Sequence, residues 1–383
     1  KLDRKNFHIY PQHASEIRFP NQKSLIFNND FQTLRENIFQ VFPSCKKGFI
    51  ELVDALEKCD PFQNTPFQSA KKFVFQHTGN SLLTDMLLCP LMYYGSSVEN
   101  DMDLNQFVIM FRSIYQEGMF RPAGTIKTFL DALVEQYRSF GGSIRLSCEV
   151  KRILHEKGSV TGVELQNNEI VQCDYLLSTI GISETYALLH EIDPYARAKR
   201  LGFVESIYLI PQEKATHLPQ DKSIIFYNNA ELFNYKRPES LVDLRSGVIC
   251  LPGNFTGRPK QEYTEVRSTH LANYHQWQKL ANKRDEYSTA KKRIAASSSR
   301  VLEKCIGKFS DDVIYQDTFT PLTIKRFTGK TEGAIYGSPS KAKDGDLGFS
   351  NLFIAGTDQG FLGIIGSMLS GVSIVNQQVL PKI

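Results

Sequence analysis

The clearest periodic pattern of the chain lies between Gly124 and Gly142. Apolar side chains recur there at steps of three and four residues, which places them on one face of a helix. They are Ile126, Phe129, Leu130, Leu133, Val134 and Tyr137. Glycines often bound helices, and here they stand at both ends of the pattern. The spacing therefore predicts an amphipathic helix that starts near Gly124 and stops at Gly141.

An alternation of apolar and polar residues follows directly and is typical of β-strands. It predicts a strand over residues 144–150, hairpin turns at residues 157–158 and 167–168, and a further strand over residues 175–179. Together with the preceding helix, these elements form one αβ unit.

Other stretches predict the remaining elements less sharply. Short apolar and polar runs predict a small antiparallel sheet over residues 7–33, and the strand-like runs of residues 201–260 predict the sheet of a second domain. Apolar stretches without strand alternation predict helices. Their ranges are residues 31–58, 82–94, 107–115 and 287–306.

The C-terminal segment carries the most specific pattern. A short apolar strand over residues 351–355 runs into a glycine-rich loop over residues 356–363, and a long helix to Leu380 is expected after it. Small residues at 363, 366, 367, 370, 371 and 373 give that helix a face that a backbone or a flat ligand can approach closely. A helix N-terminus also offers free N–H groups and partial positive charge, which suit an electron-accepting ring. Tight packing of this helix on a sheet is the alternative explanation.

Length and composition indicate a folded protein of two domains. The chain has 383 residues, of which 41% are hydrophobic and 22% charged, so disorder is excluded as its main state. A formal net charge of +4 over this length is too dilute to indicate nucleic-acid binding. The 26 Phe and 16 Tyr residues are enough to line an apolar cavity, although most such rings fill cores.

Neither the 7 cysteines nor the 8 histidines indicate a metal or catalytic site. No C-x-x-C pair or zinc-type spacing occurs, and no histidine stands at a suggestive spacing from Ser, Cys or a carboxylate. We expect reduced thiols in a cytoplasmic protein, with peripheral membrane contact as a second interpretation. No apolar stretch is long enough for a transmembrane helix, and Lys1 is not expected to be a natural start.

A nucleotide-binding fingerprint is absent from the sequence. The pattern G-x-G-x-x-G does not occur, and the nearest glycines, at 360, 363 and 366, have the wrong spacing for a pyrophosphate turn.

Several separated motifs nevertheless resemble one family of flavoenzymes. RPAGTIKTFLDAL with GGSIRLSCEVKRI and GVEL resembles the middle signature of the phytoene desaturase, carotenoid isomerase and retinol saturase group. FTPLTIKRFTGKTEGAIYG and NLFIAGTDQGFLGIIGSMLSG resemble its C-terminal signatures, and CPLMYYGSSVENDMDLNQF resembles a segment of its substrate domain. Ala123 stands where that group often has a first glycine.

The resemblance implies an α/β fold: a partial, Rossmann-like FAD domain without its N-terminal βαβ unit, and a second, mixed α+β substrate domain. Residues 1–118 and 186–340 would form the substrate domain, and residues 119–185 and 341–383 the FAD-binding domain. Val150 would contact the adenosine end of FAD through its backbone, and Asp358 a ribityl or pyrophosphate-side group. The remaining residues implied at the cofactor are Gly356, Thr357, Gln359, Gly360, Gly363, Ile364, Ile365, Gly366 and Met368.

The function implied by the resemblance is FAD-dependent oxidation, reduction or cis/trans isomerisation of a long, apolar isoprenoid such as a carotenoid or retinoid. No catalytic acid or base is assigned, and the electron acceptor and the direction of the reaction stay open. A flavin amine oxidase is a second hypothesis, because that family shares the middle and C-terminal signatures. A non-catalytic protein that binds apolar ligands and lacks its nucleotide half is a third.

Overall fold

The computed structural model describes residues 7–259 and 261–383. The expectation about Lys1 falls outside the described residues. The strands are β1 (Ile9–Pro11), β2 (Ser15–Phe19), β3 (Lys23–Phe27), β4 (Phe120–Pro122), β5 (Val150–Glu156), β6 (Ser159–Leu165), β7 (Ile170–Gln172), β8 (Leu176–Ser178), β9 (Gly202–Pro211), β10 (Ile224–Asn228), β11 (Ser246–Cys250), β12 (Tyr263–Ala272), β13 (Tyr315–Phe319) and β14 (Leu352–Ile354). The α-helices are α1 (Phe31–Val41), α2 (Lys46–Lys58), α3 (Ala70–Thr78), α4 (Ser81–Gly95), α5 (Leu104–Phe111), α6 (Ile126–Ser139), α7 (Ile182–Leu189), α8 (Tyr274–Gln278), α9 (Arg284–Ile306), α10 (Pro321–Thr328) and α11 (Gly363–Ile374).

A seven-stranded sheet forms the centre of the larger part of the molecule, in the order β13-β9-β12-β11-β10-β2-β3. All its pairs are antiparallel except β10 and β2, which run parallel. Helices α1 to α5 contribute to the apolar core on one side, and α9 packs on the other. Successive side chains of a strand point to opposite faces of a sheet, and because both faces are covered, β10 is buried at every residue.

Helix α4 is the most deeply buried helix of this core. Its side chains are apolar on nearly all sides, and the Asn80 side chain caps its first turn by accepting a hydrogen bond from the Leu83 backbone N–H. A helix that is apolar all round needs neighbours all round, and α4 lies between the sheet and the other helices.

The smaller part of the molecule is an αβ unit. Strands β5, β6 and β7 form an antiparallel meander, and β8 pairs in parallel with β14, which lies more than 170 residues further along the chain. Helix α7 follows β8, and α11 follows β14. The mixed α/β class expected from the sequence is confirmed, whereas the predicted domain boundaries stay a prediction.

Four predicted elements differ from the structure. The strand predicted over residues 144–150 is wrong: residues 143–149 are irregular, Ser147 has a positive φ of 52°, and pairing begins only at Val150. An alternating segment forms a strand only where a neighbouring strand pairs with its backbone. Residues 144–149 have no neighbouring strand in the described chain. The helix predicted over residues 31–58 is interrupted near Pro43, which cannot donate a helical hydrogen bond.

The other two differences concern the ends of the chain. Residues 7–33 do not form a separate sheet: β2 and β3 are the edge of the seven-stranded sheet, and β1 pairs with β4 instead. The last α-helix ends at Ile374, and a π-helical turn then continues through Val379.

Several apolar surfaces have no cover among the described residues. No side chain of α6 is buried, although its apolar face is the clearest of the chain. On α11, Ile364, Ile365, Met368, Leu369 and Val372 are all exposed. Strand β8 pairs only with β14, so its other edge is open in the described part of the chain.

Candidate functional site

The glycine-rich loop between β14 and α11 is the centre of the candidate site. Gly356 takes a positive φ of 90° directly after the strand, and its backbone N–H donates to the buried Ser370 hydroxyl at 2.5 Å. The Gln359 N–H donates back to the Gly356 carbonyl at 3.1 Å. These bonds fix the loop against the helix that follows it, so the helix N-terminus has a defined position.

Asp358 belongs to this loop, and its buried side chain joins three segments of the chain. Its Oδ2 accepts from the Ile182 backbone N–H at the start of α7, and its Oδ1 accepts from the Ser338 N–H, both at 2.8 Å. A Cβ on Gly181 or Gly337 would lie within 3.0 Å of this carboxylate, and both glycines have positive φ. The two glycines therefore make room for the Asp358 side chain.

Lys341 is the cation beside Asp358. Its Nζ lies 3.6 Å from Asp358 Oδ1 and donates to the Tyr336 carbonyl at 2.6 Å. Burial lowers the pKa of Lys341, Asp358 raises it, and the nearby Lys330 lowers it. The net pKa is about 8. The site thus holds an amine that can lose its proton under mildly alkaline conditions.

Gln359 borders a small cavity of about 180 Å³ next to Lys341. Its Nε2 donates to the Lys343 carbonyl at 2.9 Å, which fixes the orientation of the amide, while its buried Oε1 has no partner among the described residues. Phe62 and Phe361, which also line this cavity, stack with ring centroids 5.8 Å apart. The cavity therefore combines aromatic walls with polar groups from the loop.

The first turn of α11 presents the other predicted cofactor residues. Gly363 has a positive φ of 70°, and a Cβ there would meet no atom within 4 Å, so the surface above it is open. Ile364, Ile365 and Met368 are exposed on this helix. Gly366 is different, because a Cβ there would lie 3.1 Å from the Phe361 backbone. Gly366 lets the loop fold back onto its own helix.

Of the predicted cofactor residues, all except Val150 lie together on the loop and on α11. Thr357 lies beside Lys330, whose Nζ is 3.4 Å from the Thr357 hydroxyl, and Gly360 takes a positive φ of 121°. Val150 opens β5 and pairs with Leu165, in a sheet separate from β8 and β14. Its contact with the adenosine end of the cofactor stays a prediction.

Sequence reasoning missed the residues that hold the loop from below, namely Gly181, Gly337, Ser338 and Lys341. A partial clue was present for Gly181, because it follows the apolar strand β8 and precedes a helix, as the glycine-rich loop follows β14. No comparable clue marked Ser338 and Lys341, which lie in an irregular segment.

Two further classes of site were sought in the described residues. No group of three or more His, Cys, Asp or Glu side chains is arranged there to hold a metal ion. Nor does that part of the chain contain a helix with the length and apolarity needed to cross a membrane.

A parallel strand pair with a glycine loop at its carboxyl end and a helix N-terminus beyond it defines a class of α/β proteins that hold a nucleotide cofactor there. The chain belongs to the flavin containing amine oxidoreductase family, whose model matches residues 3–373. It is an FAD-type oxidoreductase of this superfamily, and its cofactor is FAD.

Relatives and solved structures agree with this assignment. The chain is 25% identical over 370 residues to 4,4'-diaponeurosporene oxygenase of Staphylococcus aureus, with 88% of this chain and 71% of the relative covered. An oxidoreductase from Methanosarcina mazei superposes with a TM-score of 0.61 at 14% identity, covering 97% of this chain and 82% of that one. Putrescine oxidase bound to putrescine superposes with a TM-score of 0.54 at 10% identity, covering 96% of this chain and 81% of that one. The two structures show a shared fold.

The loop and α11 fit part of an FAD molecule. The open space at Gly363 and the free N–H groups of the first turn of α11 suit the flat flavin ring and its polar edge. The motif G-x-G-x-x-G, which cradles the pyrophosphate in dinucleotide-binding folds, does not occur in the sequence.

Proposed function

We propose that this protein is an FAD-dependent oxidoreductase that desaturates, saturates or isomerises a long, apolar isoprenoid of the carotenoid or retinoid type. The observation that carries the proposal is the similarity over 88% of the chain to 4,4'-diaponeurosporene oxygenase, whose name refers to a carotenoid. The motifs that resemble the phytoene desaturase group support the same substrate class.

Apolar side chains near the loop support this substrate class. Leu362 lies 3.2 Å from the position that a Cβ of Gly95 would take, so the end of α4 adjoins the loop. Tyr94 is next to Gly95, and its hydroxyl has a raised pKa because it is buried. Phe203 on β9 lies 5.5 Å from the Tyr336 ring. Phe203 is part of the apolar core, and Tyr94 and Tyr336 pack against it.

FAD supplies the two-electron chemistry, and this chain's own residues position it. We propose that the loop residues Gly356, Thr357, Gln359 and Gly360 and the helix residues Gly363, Ile364, Ile365, Gly366 and Met368 contact the flavin ring. Asp358 acts from below by fixing the loop to α7, and one of its oxygens would also accept from a ribityl hydroxyl. Val150 would contact the adenosine end.

We further propose that a strand-and-helix unit outside the printed sequence completes the FAD domain. An open strand edge leaves backbone N–H and C=O groups without partners, and the outer edge of β8 is open in the described residues. The exposed apolar faces of α6 and α11 also call for cover. The matched region makes up 71% of the Staphylococcus aureus relative, so that relative has further residues available for such a unit.

The test is to express the polypeptide from the intact gene, measure its bound flavin, and incubate it with carotene precursors and with retinoids. We expect a change in bond order or geometry, resolved by chromatography with absorbance detection. Gly363→Val should lower flavin content, because a branched residue is strained at a φ of 70°. Gly253→Val, at a glycine with an ordinary φ and open space around it, is the matched control.

Three other results would contradict the proposal in distinct ways. Flavin-loaded protein that leaves every polyene unchanged would refute the substrate class. Hydrogen peroxide release from amines, with no polyene conversion, would favour an amine oxidase. Protein from the intact gene that binds apolar ligands and no flavin would favour the non-catalytic hypothesis.

A further inference from the structure

Residues 61–67, here called the strap, lie between α2 and α3 and line the cavity beside the flavin loop. This cavity has a volume of about 180 Å³, and the loop residues 359–361 line it as well. Phe62 of the strap stacks on Phe361 of the loop, with ring centroids 5.8 Å apart. An apolar cavity of roughly 150 Å³ admits a benzene molecule, so this cavity has room for the end group of a ligand.

A second cavity, of about 780 Å³, adjoins the first along the strap. The two cavities share five lining residues, namely Asn64, Asp103, Gln106, Lys341 and Lys343. The second cavity also has an apolar lining, to which Pro66, Phe67 and Val98 contribute. Ligand pockets of roughly 300–1,000 Å³ hold molecules of drug size, so the second cavity has room for an apolar chain.

Hydrogen bonds hold the strap in place beside both cavities. Lys343 Nζ donates to the Thr65 carbonyl at 2.7 Å. Asn105 Nδ2 donates to the Gln63 carbonyl at 2.9 Å and to the Thr65 hydroxyl at 3.2 Å. The strap therefore has a defined position, and the cavities keep this wall.

The charged side chains that line the first cavity already have partners. Lys343 Nζ lies 3.1 Å from Asp103 Oδ2. Lys341 Nζ lies 3.6 Å from Asp358 Oδ1. A charged end group would either compete with one of these pairs or stay unpaired in a place with little water, and both cost free energy. The first cavity therefore favours a neutral end group.

Gln359 offers this cavity a hydrogen-bond acceptor. Its Nε2 donates to the Lys343 carbonyl at 2.9 Å, which fixes the amide and occupies its donor side. The side chain is only 3% exposed, and its Oε1 has no partner among the residues that the structure describes. A buried acceptor without a partner costs free energy, and a ligand that donates a hydrogen bond to it removes that cost.

We propose that Gln359 Oε1 accepts a hydrogen bond from the hydroxyl group of a neutral isoprenoid alcohol, whose chain lies along the strap. The proposal rests on the proposed function, because it specifies the ligand of the same site. Gln359 then contacts the end group of this ligand in addition to the flavin ring. A hydroxyl group supplies the donor that the amide oxygen lacks, and it does so without bringing a charge.

The experiment measures binding by equilibrium dialysis, using flavin-loaded protein from the intact gene. Farnesol and farnesyl methyl ether share one isoprenoid chain, and the ether keeps the oxygen but lacks the O–H donor. We expect farnesol to bind about tenfold more tightly than its ether. Gln359→Met removes the acceptor at nearly constant length and should bring the two affinities together. Gln166→Met, at an exposed glutamine, is the control and should leave their ratio unchanged.

Phe62→Ala is a second, independent variant, because its ring is 58% exposed and does not belong to the core. The loss of this wall should weaken farnesol and its ether equally, by about fivefold. Phe75→Ala, at a ring of α3 that is 47% exposed, is the control. Unchanged affinities in Phe62→Ala would place the ligand elsewhere and overturn the proposal, even if Gln359→Met were too unstable to hold flavin.

Equal binding of farnesol and its ether to the wild type would also overturn the proposal, as would a preference that persists in Gln359→Met. Decanol and its methyl ether supply the same comparison without an isoprenoid. If farnesol does not bind while decanol shows the Gln359-dependent preference, the hydroxyl site stands and the isoprenoid function fails. If flavin-loaded protein converts polyenes but binds neither alcohol, the proposed function stands and the hydroxyl site is refuted.

Discussion

The Asp358 carboxylate accepts a hydrogen bond from the Ile182 backbone N–H at 2.8 Å across 176 positions of the chain. This bond connects the loop after β14 to the first turn of α7, which follows the neighbouring parallel strand β8. A carboxylate is favourable at a helix N-terminus because it meets free N–H groups and partial positive charge. Asp358 thus holds the two loops at the carboxyl end of the strand pair in one arrangement.

Replacing Asp358 by Asn should destabilise the protein and weaken flavin binding. The amide nitrogen would face either the Ile182 or the Ser338 N–H, and Lys341 would lose its carboxylate. Breaking a buried charge pair of this kind costs about 3 kcal/mol. The free energy of unfolding from urea titration and the flavin absorbance per protein would check both effects. Asp311→Asn, at an exposed carboxylate, should change neither.

Lys341 should make the stability of the protein rise with pH. Below pH 8 the amine is protonated in both the folded and the unfolded chain, so its burial opposes folding. Between pH 8 and the ordinary value of 10.5, the folded protein releases the proton first and this cost disappears. The gain is about 2 kcal/mol by pH 9.5.

Urea unfolding at pH 7, 8, 9 and 9.5 would measure this gain. Lys341→Met should show a pH dependence flatter by that amount, whereas Lys308→Met, at an exposed lysine, should keep the wild-type slope. A Lys341→Met protein with the wild-type slope would show that the amine does not titrate in this range.

The sequence predicted the elements whose periodicity is strong and local. The apolar residues at steps of three and four over residues 126–137 predicted α6. The apolar run, the glycines and the small residues near the C-terminus predicted β14, the loop and α11. In these segments the pattern, the glycine positions and the element length agree with one another, so local information is sufficient.

The parts that failed depend on contacts distant in sequence. Residues 144–149 alternate like a strand but meet no partner strand in the described chain, and Leu146 is 83% exposed. The parallel pairing of β2 with β10 joins segments about 200 residues apart, which no local pattern shows. Lys341 likewise lies 3.6 Å from Asp358 in an irregular segment whose Ser338 binds the same carboxylate. Such a site is assembled by the fold and cannot be read from spacing.

His270 should make the protein sensitive to acid. It is buried beneath α9, its Nε2 lies 2.8 Å from the Ser298 hydroxyl, and burial lowers its pKa to about 4 from an ordinary 6.5. The unfolded chain therefore binds the proton first as the pH falls, and stability drops between pH 6.5 and pH 4. His270 should account for a loss of about 2 kcal/mol at pH 5.

Urea titrations at pH 7.5, 6 and 5 would detect this loss. His270→Gln should flatten the decline, although its stability at pH 7.5 is expected to be lower because the buried hydrogen bonds change. His8→Gln, at an exposed histidine, should decline as the wild type does. An unaltered decline in His270→Gln would assign the acid sensitivity to other groups.

A substitution on the exposed face of α11 would show whether another unit covers this face in the protein made from the intact gene. Val372 is 57% exposed, so Val372→Gln should be nearly neutral if the described surface faces water. If a strand-and-helix unit covers it, the same change should lower the free energy of unfolding by about 1.5 kcal/mol. Gln is a better helix former than Val, so propensity cannot explain a loss. Ile192→Gln, at a residue 90% exposed, is the control.

Ser370 should control how well the glycine-rich loop is positioned for flavin. Its buried hydroxyl accepts from the Gly356 N–H, and Ser370→Ala would leave that N–H without a partner in a buried position. We expect a loss of about 1–2 kcal/mol in the free energy of unfolding and a weaker flavin complex. Ser288→Ala, at an exposed position of α9, removes a helical hydroxyl without removing this bond. Flavin dissociation constants from fluorescence titration would separate the two variants, and equal values would show that the bond to Gly356 does not position the loop for its cofactor.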